Sequence, residues 1–269
     1  MKILNPRARA AALALPALLL VSAATAGCDI AMADMKQKET AEWRKTYDLQ
    51  PGGRVEITNV NGKINVQPAS GNSLEVVALK SARGASSEAA KAALGRIEIQ
   101  ENASPGEVRI ETRVQKAGSF FGGGNLQVEY TVRVPAGAEV KFSTVNGGIE
   151  ISGLKGRITA ETVNGGVKAT DISGPIEANT TNGGVEVDLA QLAEPGVKLG
   201  CTNGGIHLRL PTDAKATISA RVTNGGIDTN GLQLDTSEAS RRRLDGRLNG
   251  GGTRIDMEGT NGGIRISGR

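Results

Sequence analysis

Thr144-Val145-Asn146-Gly147-Gly148-Ile149, Thr162-Val163-Asn164-Gly165-Gly166-Val167 and Thr180-Thr181-Asn182-Gly183-Gly184-Val185 are one phrase read three times, 18 residues apart. The tripeptide Asn-Gly-Gly returns at Asn203, Asn224 and Asn261, after steps of 21, 21 and 37 residues. The last step fits two rungs, the first of them degenerate. An upstream copy, Asn61-Gly62-Lys63, departs only at its third position. Self-similarity at a fixed period of this length marks a stacked repeat.

The flanks carry the fold. Six residues before each Asn stand Val140, Ile158, Ile176, Val197, Ile218 and Ile255, and three after stand Ile149, Val167, Val185, Ile206, Ile227 and Ile264. Apolar or small residues recur at every second position on both sides, with Lys141, Glu150, Glu161, Lys168 and Glu186 among those between. That is the two-residue period of a half-buried strand. The upstream copy obeys it too, with Val55, Ile57, Ile64 and Val66 inward. Each unit therefore reads strand, Asn-Gly-Gly turn, strand, with Asn and Gly expected to supply the positive φ angles of the turn. A hairpin meander and a solenoid share this alternation. The fixed period favours the solenoid, where like residues stack on like. The outward slot Glu150, Lys168, Glu186, His207, Asp228 mostly alternates in sign, which suits parallel strands about 4.8 Å apart. The expected class is all-β: a β-solenoid of coils of 18–21 residues, with a small N-terminal β-rich segment carrying one short helix.

Composition agrees. Aromatics make up 2 % of the chain and glycines number 37, so the core must be built from Val, Ile, Leu and Ala in thin, repeated layers. The formal charge of +4 includes Lys2, Arg7 and Arg9; without them, 29 basic residues face 28 acidic ones. A near-neutral body has no general drive toward nucleic acid.

Residues 1–27 read as a signal peptide: a basic start, then an apolar run from Ala10 to Val21 too short to span a bilayer comfortably. Thr25-Ala26-Gly27-Cys28 resembles a bacterial lipobox, with Thr25 where Leu is usual, and Ala31-Met32-Ala33 offers an alternative site for ordinary signal peptidase. The first reading makes Cys28 an acylated N-terminus that anchors the protein to a membrane. Cys201 is then left without an intramolecular partner. Beyond Cys28, residues 28–45 read as a polar tether and 46–134 as an N-terminal β segment interrupted by a helix from Ser86 to Leu94. Residues 135–269 read as the solenoid, with 230–250 out of register and 253–269 as its last coil.

Val60-Asn61-Gly62 with Ile64, Val132-Arg133-Val134-Pro135 leading into Val145-Asn146-Gly147-Gly148-Ile149, and Gly250-Gly251-Gly252 before Thr260-Asn261-Gly262-Gly263-Ile264 together resemble the DUF4097 family of adhesin-like, β-strand-repeat proteins. The resemblance covers most of the chain after residue 46. It implies a β-solenoid-like fold and an envelope location, and no established molecular function.

Candidate chemistry is sparse. Cys201 and His207 invite a nucleophile–base reading, yet Cys201 occupies an inward slot and His207 an outward one, so no catalytic residue is expected. One histidine and one free cysteine make no zinc set, and the repeat lacks the G-G-x-G-x-D calcium pattern; no metal or cofactor is expected. Gly122-Gly123-Gly124 lacks the Lys-Ser/Thr of a phosphate loop. Phe120 and Phe121 read as a cap over an open coil or as a contact patch. Arg241, Arg242, Arg243 and Arg247 read as a solvated turn, or as a contact for anionic head groups. The expected protein is a noncatalytic component of the cell envelope, held to a membrane facing the periplasm or cell surface, or otherwise periplasmic, and presenting a β surface to an envelope protein or glycan. Two alternatives stand: a polysaccharide-acting enzyme, which needs two carboxylates about 5–9 Å apart in a groove, and an assembly module docking through a terminal strand edge.

Overall fold

The computed structural model describes residues 37–115 and 125–269. The expected leader, Cys28, and the Phe120, Phe121 and Gly122 to Gly124 segment lie outside the described residues.

In chain order the elements are β1 (Gln37–Asp48), β2 (Arg54–Thr58), β3 (Ile64–Ala69), β4 (Ser73–Gly84), α1 (Ser87–Leu94), β5 (Ile97–Ser104), β6 (Glu107–Val114) and β7 (Leu126–Pro135). The repeat follows as β8 (Glu139–Asn146), β9 (Ile149–Ser152), β10 (Ile158–Asn164), β11 (Val167–Ile172), β12 (Ile176–Asn182), β13 (Val185–Leu189), β14 (Val197–Asn203), β15 (Ile206–Leu210), β16 (Ala216–Asn224) and β17 (Ile227–Asn230). A hairpin, β18 (Leu234–Ala239) and β19 (Arg243–Leu248), precedes β20 (Thr253–Asn261) and β21 (Ile264–Gly268).

These strands form two large sheets. One runs β1-β4-β7-β3-β9-β11-β13-β15-β21-β17, the other β18-β19-β16-β20-β14-β12-β10-β8-β2-β6-β5. Each coil places one strand in each sheet. The meander is excluded, because equivalent strands pair in parallel and in register: Ile158 lies between Val140 and Ile176, and Asn164 between Asn146 and Asn182. The inward column is buried from Val55 and Ile57 to Ile264 and Ile266, and only half-buried at Ile227 and Thr229 on β17. One apolar core extends from Leu49 to Ile266. Position 135 thus marks a change of pattern within one core.

The glycines are required by proximity. At the Asn-Gly-Gly junctions the asparagines stay extended, as the ends of β8, β10, β12, β14, β16 and β20, which corrects the expectation that they supply positive φ. The first glycine does so in several coils, as at Gly183 (φ +150). Gly147 shows the deeper reason. A Cβ there would penetrate the carbonyl of Gly62 on the neighbouring coil. The asparagine side chains then stack into a ladder: Asn146 Nδ2 donates to Asn61 Oδ1 (2.7 Å), Asn164 to Asn146 (2.8 Å), Asn182 to Asn164 (2.9 Å) and Asn203 to Asn182 (2.8 Å).

Three features depart from the sequence reading. Residues 37–45, expected as tether, belong to β1, which pairs antiparallel with β4 over its whole length. Lys38, Glu42 and Arg44 on the exposed positions mask the half-buried Ala41, Trp43 and Tyr47. Second, the 37-residue step holds no degenerate rung. Residues 234–248 form the β18–β19 hairpin, which pairs antiparallel with β16. Third, the β20/β21 coil is not last in space. It lies between the β14/β15 and β16/β17 coils, with Ile255 against both Val197 and Ile218, and Ile264 against both Ile206 and Ile227. The mirror of this exchange occurs at the other end, where β2/β3 sits between β6/β7 and β8/β9. The charge ladder changes accordingly, because Arg265 enters between His207 and Asp228.

Antiparallel strands close both sheets at the N-terminal end and one sheet at the other end, where the second sheet ends on β17, paired in parallel with β21. At the N-terminal end the Tyr47 hydroxyl on β1 donates to the Glu101 carboxylate on β5, and Lys45 Nζ lies 3.3 Å from Glu101, tying one sheet edge to the other. Helix α1 packs on β1 and β4 there, with the Ser86 hydroxyl accepting from the Ala89 amide as its N-cap. Nearby, Tyr130 Oη meets Thr112 Oγ1 at 2.7 Å, β7 to β6 across the core. Burial pushes the Tyr130 phenol up to about 12.

Candidate functional site

The three residues that end each strand before the bend build a groove. In β10 these are Glu161 exposed, Thr162 buried, Val163 exposed, and then Asn164, exposed as well. Two exposed residues in succession break the alternation, because the chain is turning from one sheet to the other. Stacked over seven strands, the turn leaves a trough of about 740 Å³ running along the coil axis.

Register fixes its walls. One wall is the row Ser143, Glu161, Asn179, Gly200, Glu258, Arg221, each opposite the next. The facing wall is Val145, Val163, Thr181, Thr202, Thr260, Thr223. Val145 and Val163 are 41 % and 42 % exposed, two neighbouring apolar side chains in water. The floor is Thr144, Thr162, Thr180, Cys201, Gly259 and Val222. Its hydroxyls turn inward: Thr162 Oγ1 donates to the Gly147 carbonyl (2.8 Å) and Thr180 Oγ1 to that of Gly165 (2.7 Å). The polar groups left facing solvent are those of the walls. Glycines at 200 and 259 remove a side chain from wall and floor on adjacent strands.

Cys201 continues the floor. Its Sγ donates to the Gly183 carbonyl at 3.1 Å, as the threonine hydroxyls do on neighbouring coils, and burial pushes the thiol above its ordinary range. A protonated, buried thiol is a poor nucleophile. We expect Cys201 to resist alkylation in the folded protein and to react at once on denaturation. Cys201→Thr should keep the melting temperature within about 3 °C, since a hydroxyl makes the same bond and a change of about 1 kcal/mol moves a domain of this size by about 2–4 °C. Rapid labelling of the native thiol would contradict this placement.

His207 lies on the other sheet, on the outer face of β15 between Glu186 and Arg265, so the structure does not bring it together with Cys201. The arginine stretch serves through its main chain: the Arg241 carbonyl accepts from the Ile227 amide (3.0 Å) and that of Arg242 from Val222 (2.9 Å), closing the last coil. Arg243 pairs with Glu238 (3.0 Å) and Asp245 (3.1 Å). Asn146, Asn164, Asn182, Asn203, Asn261 and Asn224 line up beside the groove as one ladder. No group of three or more His, Cys, Asp or Glu able to hold a metal occurs among the described residues. The groove walls were missed in sequence, although Val145 and Val163 on outward slots were a signal of a surface with a task.

Comparison with known proteins bears on the whole body. The profile of the family described as Toastrack DUF4097 matches residues 36–267. A search of curated proteins finds no match. Among solved structures, a candidate cell adhesion protein from Clostridium sporogenes is 13 % identical, with a TM-score of 0.52, covering 86 % of this chain and 100 % of its own. A candidate adhesin from Bacteroides fragilis is 11 % identical, with a TM-score of 0.31, covering 85 % and 97 %. At these identities the first likeness speaks to the fold alone.

Proposed function

The chain belongs to the Toastrack DUF4097 family, and from that premise we propose a noncatalytic cell-envelope protein whose groove holds an extended glycan. The groove carries the reading. It is open and crosses seven stacked strands, and each coil adds one residue to either wall at a spacing of about 4.8 Å, with threonines at four successive positions of one wall. A polymer whose unit length is close to that spacing meets one wall threonine per unit from Thr181 to Thr223. The hydroxyls of Thr181, Thr202, Thr260 and Thr223 on one wall, and Glu161, Asn179, Glu258 and Arg221 on the other, supply donors and acceptors suited to sugar hydroxyls.

A hydrolytic reading has less support. The groove carboxylates Glu161 and Glu258 stand three strand spacings apart, with Asn179 and Gly200 between them. Three spacings come to roughly 14 Å, wider than the roughly 5–9.5 Å that glycoside hydrolysis uses. The name of the similar Clostridium sporogenes structure, a candidate cell adhesion protein, agrees with a binding role.

The proposal includes export and anchoring through an acylated Cys28. Eight residues lie between Cys28 and Gln37, so the body would stay within about 30 Å of the membrane surface. Intact-mass analysis of detergent-extracted protein tests the anchor.

Groove binding is tested by retention of the purified protein on immobilised cell-wall polysaccharides, compared with Thr181→Arg and Thr202→Arg, which fill the trough from an exposed wall. We expect the variants to lose tenfold or more in affinity, about 1.4 kcal/mol, with unchanged thermal unfolding. Equal retention of wild type and both variants would overturn the groove as the binding site.

A further inference from the structure

The chain contains nine Asn-Gly pairs, beginning at Asn61, Asn146, Asn164, Asn182, Asn203, Asn224, Asn230, Asn249 and Asn261. Such a pair can modify itself. The glycine amide nitrogen, unhindered by a Cβ, gives up its proton and attacks the asparagine Cγ; a C–N bond closes a five-membered imide and Nδ2 leaves as ammonia. Water then opens the ring at either carbonyl, leaving aspartate or its β-linked isomer. No oxidant or reductant is involved. Two conditions govern the first step: the glycine N–H must be free of a hydrogen bond, and the asparagine side chain must be free to swing over it.

Six pairs fail both conditions. The glycine amide donates to an asparagine carbonyl on the adjoining coil from Gly62 (2.8 Å), Gly147 (2.9 Å), Gly165 (2.8 Å), Gly183 (2.9 Å), Gly204 (2.9 Å) and Gly262 (2.9 Å). The side chains are held at both ends: each ladder amide donates to one neighbour and accepts from the other, and Asn61 ends the series by donating to the Leu126 carbonyl (3.2 Å). A seventh, Asn249, is fixed by donating to the Thr212 (2.8 Å) and Ala214 (2.9 Å) carbonyls.

Two pairs are different. Asn224 ends the ladder: its Nδ2 donates to Asn261 Oδ1 (2.9 Å), while its Oδ1 and the Gly225 amide have no partner among the described residues. Asn230 ends β17, is exposed, and neither its side chain nor the Gly231 amide has a partner there.

We propose that Asn230 and Asn224 are sites of spontaneous deamidation in the folded protein, Asn230 the faster, and that the asparagine ladder shields the other repeats from the same reaction. The inference does not depend on what the groove binds. At Asn224 the product has a consequence. A carboxylate cannot donate to Asn261 Oδ1, and two oxygens would face each other where the ladder ends, loosening the outermost coil.

The test is peptide mapping by mass spectrometry of purified protein aged in mildly alkaline buffer, folded and in denaturant, with digestion at acidic pH. In the folded sample, acid and isoaspartyl products are expected at Asn230 first and Asn224 second. Ladder positions should form them roughly a hundredfold more slowly or less, since each must wait for its coil to open. In denaturant all nine pairs should react at similar rates. Deamidation of Asn164 or Asn182 in the folded protein at a rate within a few-fold of Asn230 would overturn the proposal, and so would an Asn230 as inert as they are.

Discussion

Deleting residues 253–269 is expected to abolish cooperative folding. In an ordinary stack, removing the last coil in sequence exposes one fresh end and costs one interface. Here the same deletion empties a slot in the interior of the stack. Strands β14 and β16 both lose β20, and β15 and β17 both lose β21. Ile255, Met257, Ile264 and Ile266, none more than 1 % exposed, disappear with them. Four such side chains represent roughly 6–12 kcal/mol of gross burial, comparable to the whole stability of a typical domain at about 5–15 kcal/mol. The asparagine ladder is cut as well, since Asn261 bridges Asn203 and Asn224. Urea unfolding followed by far-ultraviolet circular dichroism checks this. A truncated chain that unfolds in one transition near the full-length midpoint would contradict the interleaved order. Met257→Ala is the milder companion, with about 2–5 kcal/mol lost.

Gly183→Ala should cost about 3 kcal/mol or more, lowering the melting temperature by roughly 6–12 °C for a chain of this length. The comparison that gives this meaning is Gly71→Ala. Both glycines have positive φ, +150 at Gly183 and +72 at Gly71, so each substitution strains the backbone. At Gly71 nothing lies within 4 Å of the new methyl group, and about 1 kcal/mol is expected. At Gly183 the methyl group would overlap the Gly165 carbonyl, which accepts the Thr180 hydroxyl one strand away. Coils that cannot approach also cannot keep the ladder between Asn164 and Asn182. Equal melting temperatures for the two variants would mean that coil contact at the bends contributes nothing to stability.

The face of each strand could be read directly from sequence, because inward and outward slots differ in chemistry. Val140, Ile158, Ile176 and Val197 are buried as their alternation requires. Neighbour order could not be read, because a repeat makes its coils interchangeable in pattern. Ile255 complements Val197 and Ile218 equally well, and in the structure it meets both. Strand β1 was hidden by its charged positions, which read as a solvated tether until β4 supplies a partner for all twelve residues. The groove was half legible. Val145 and Val163 were visible as apolar residues on outward slots, but the trough depends on the bend that exposes two residues in succession. The opposite placements of Cys201 and His207 followed from register alone, since one slot faces the core and the other faces water.

The interleaved coil also sets a schedule. Residues 216–230 are made before residues 253–269, yet the native contacts between β16/β17 and β14/β15 run only through the later segment. During synthesis the stack therefore waits with a vacant berth, flanked on each side by unpaired strand edges. Folding cannot simply run from one end of the chain to the other, and the long-range closure makes the final step slow. While the berth is open, the same segment from a second molecule fits it as well as the chain's own. A high local concentration would favour such exchange, whereas a dilute sample would let each chain complete itself.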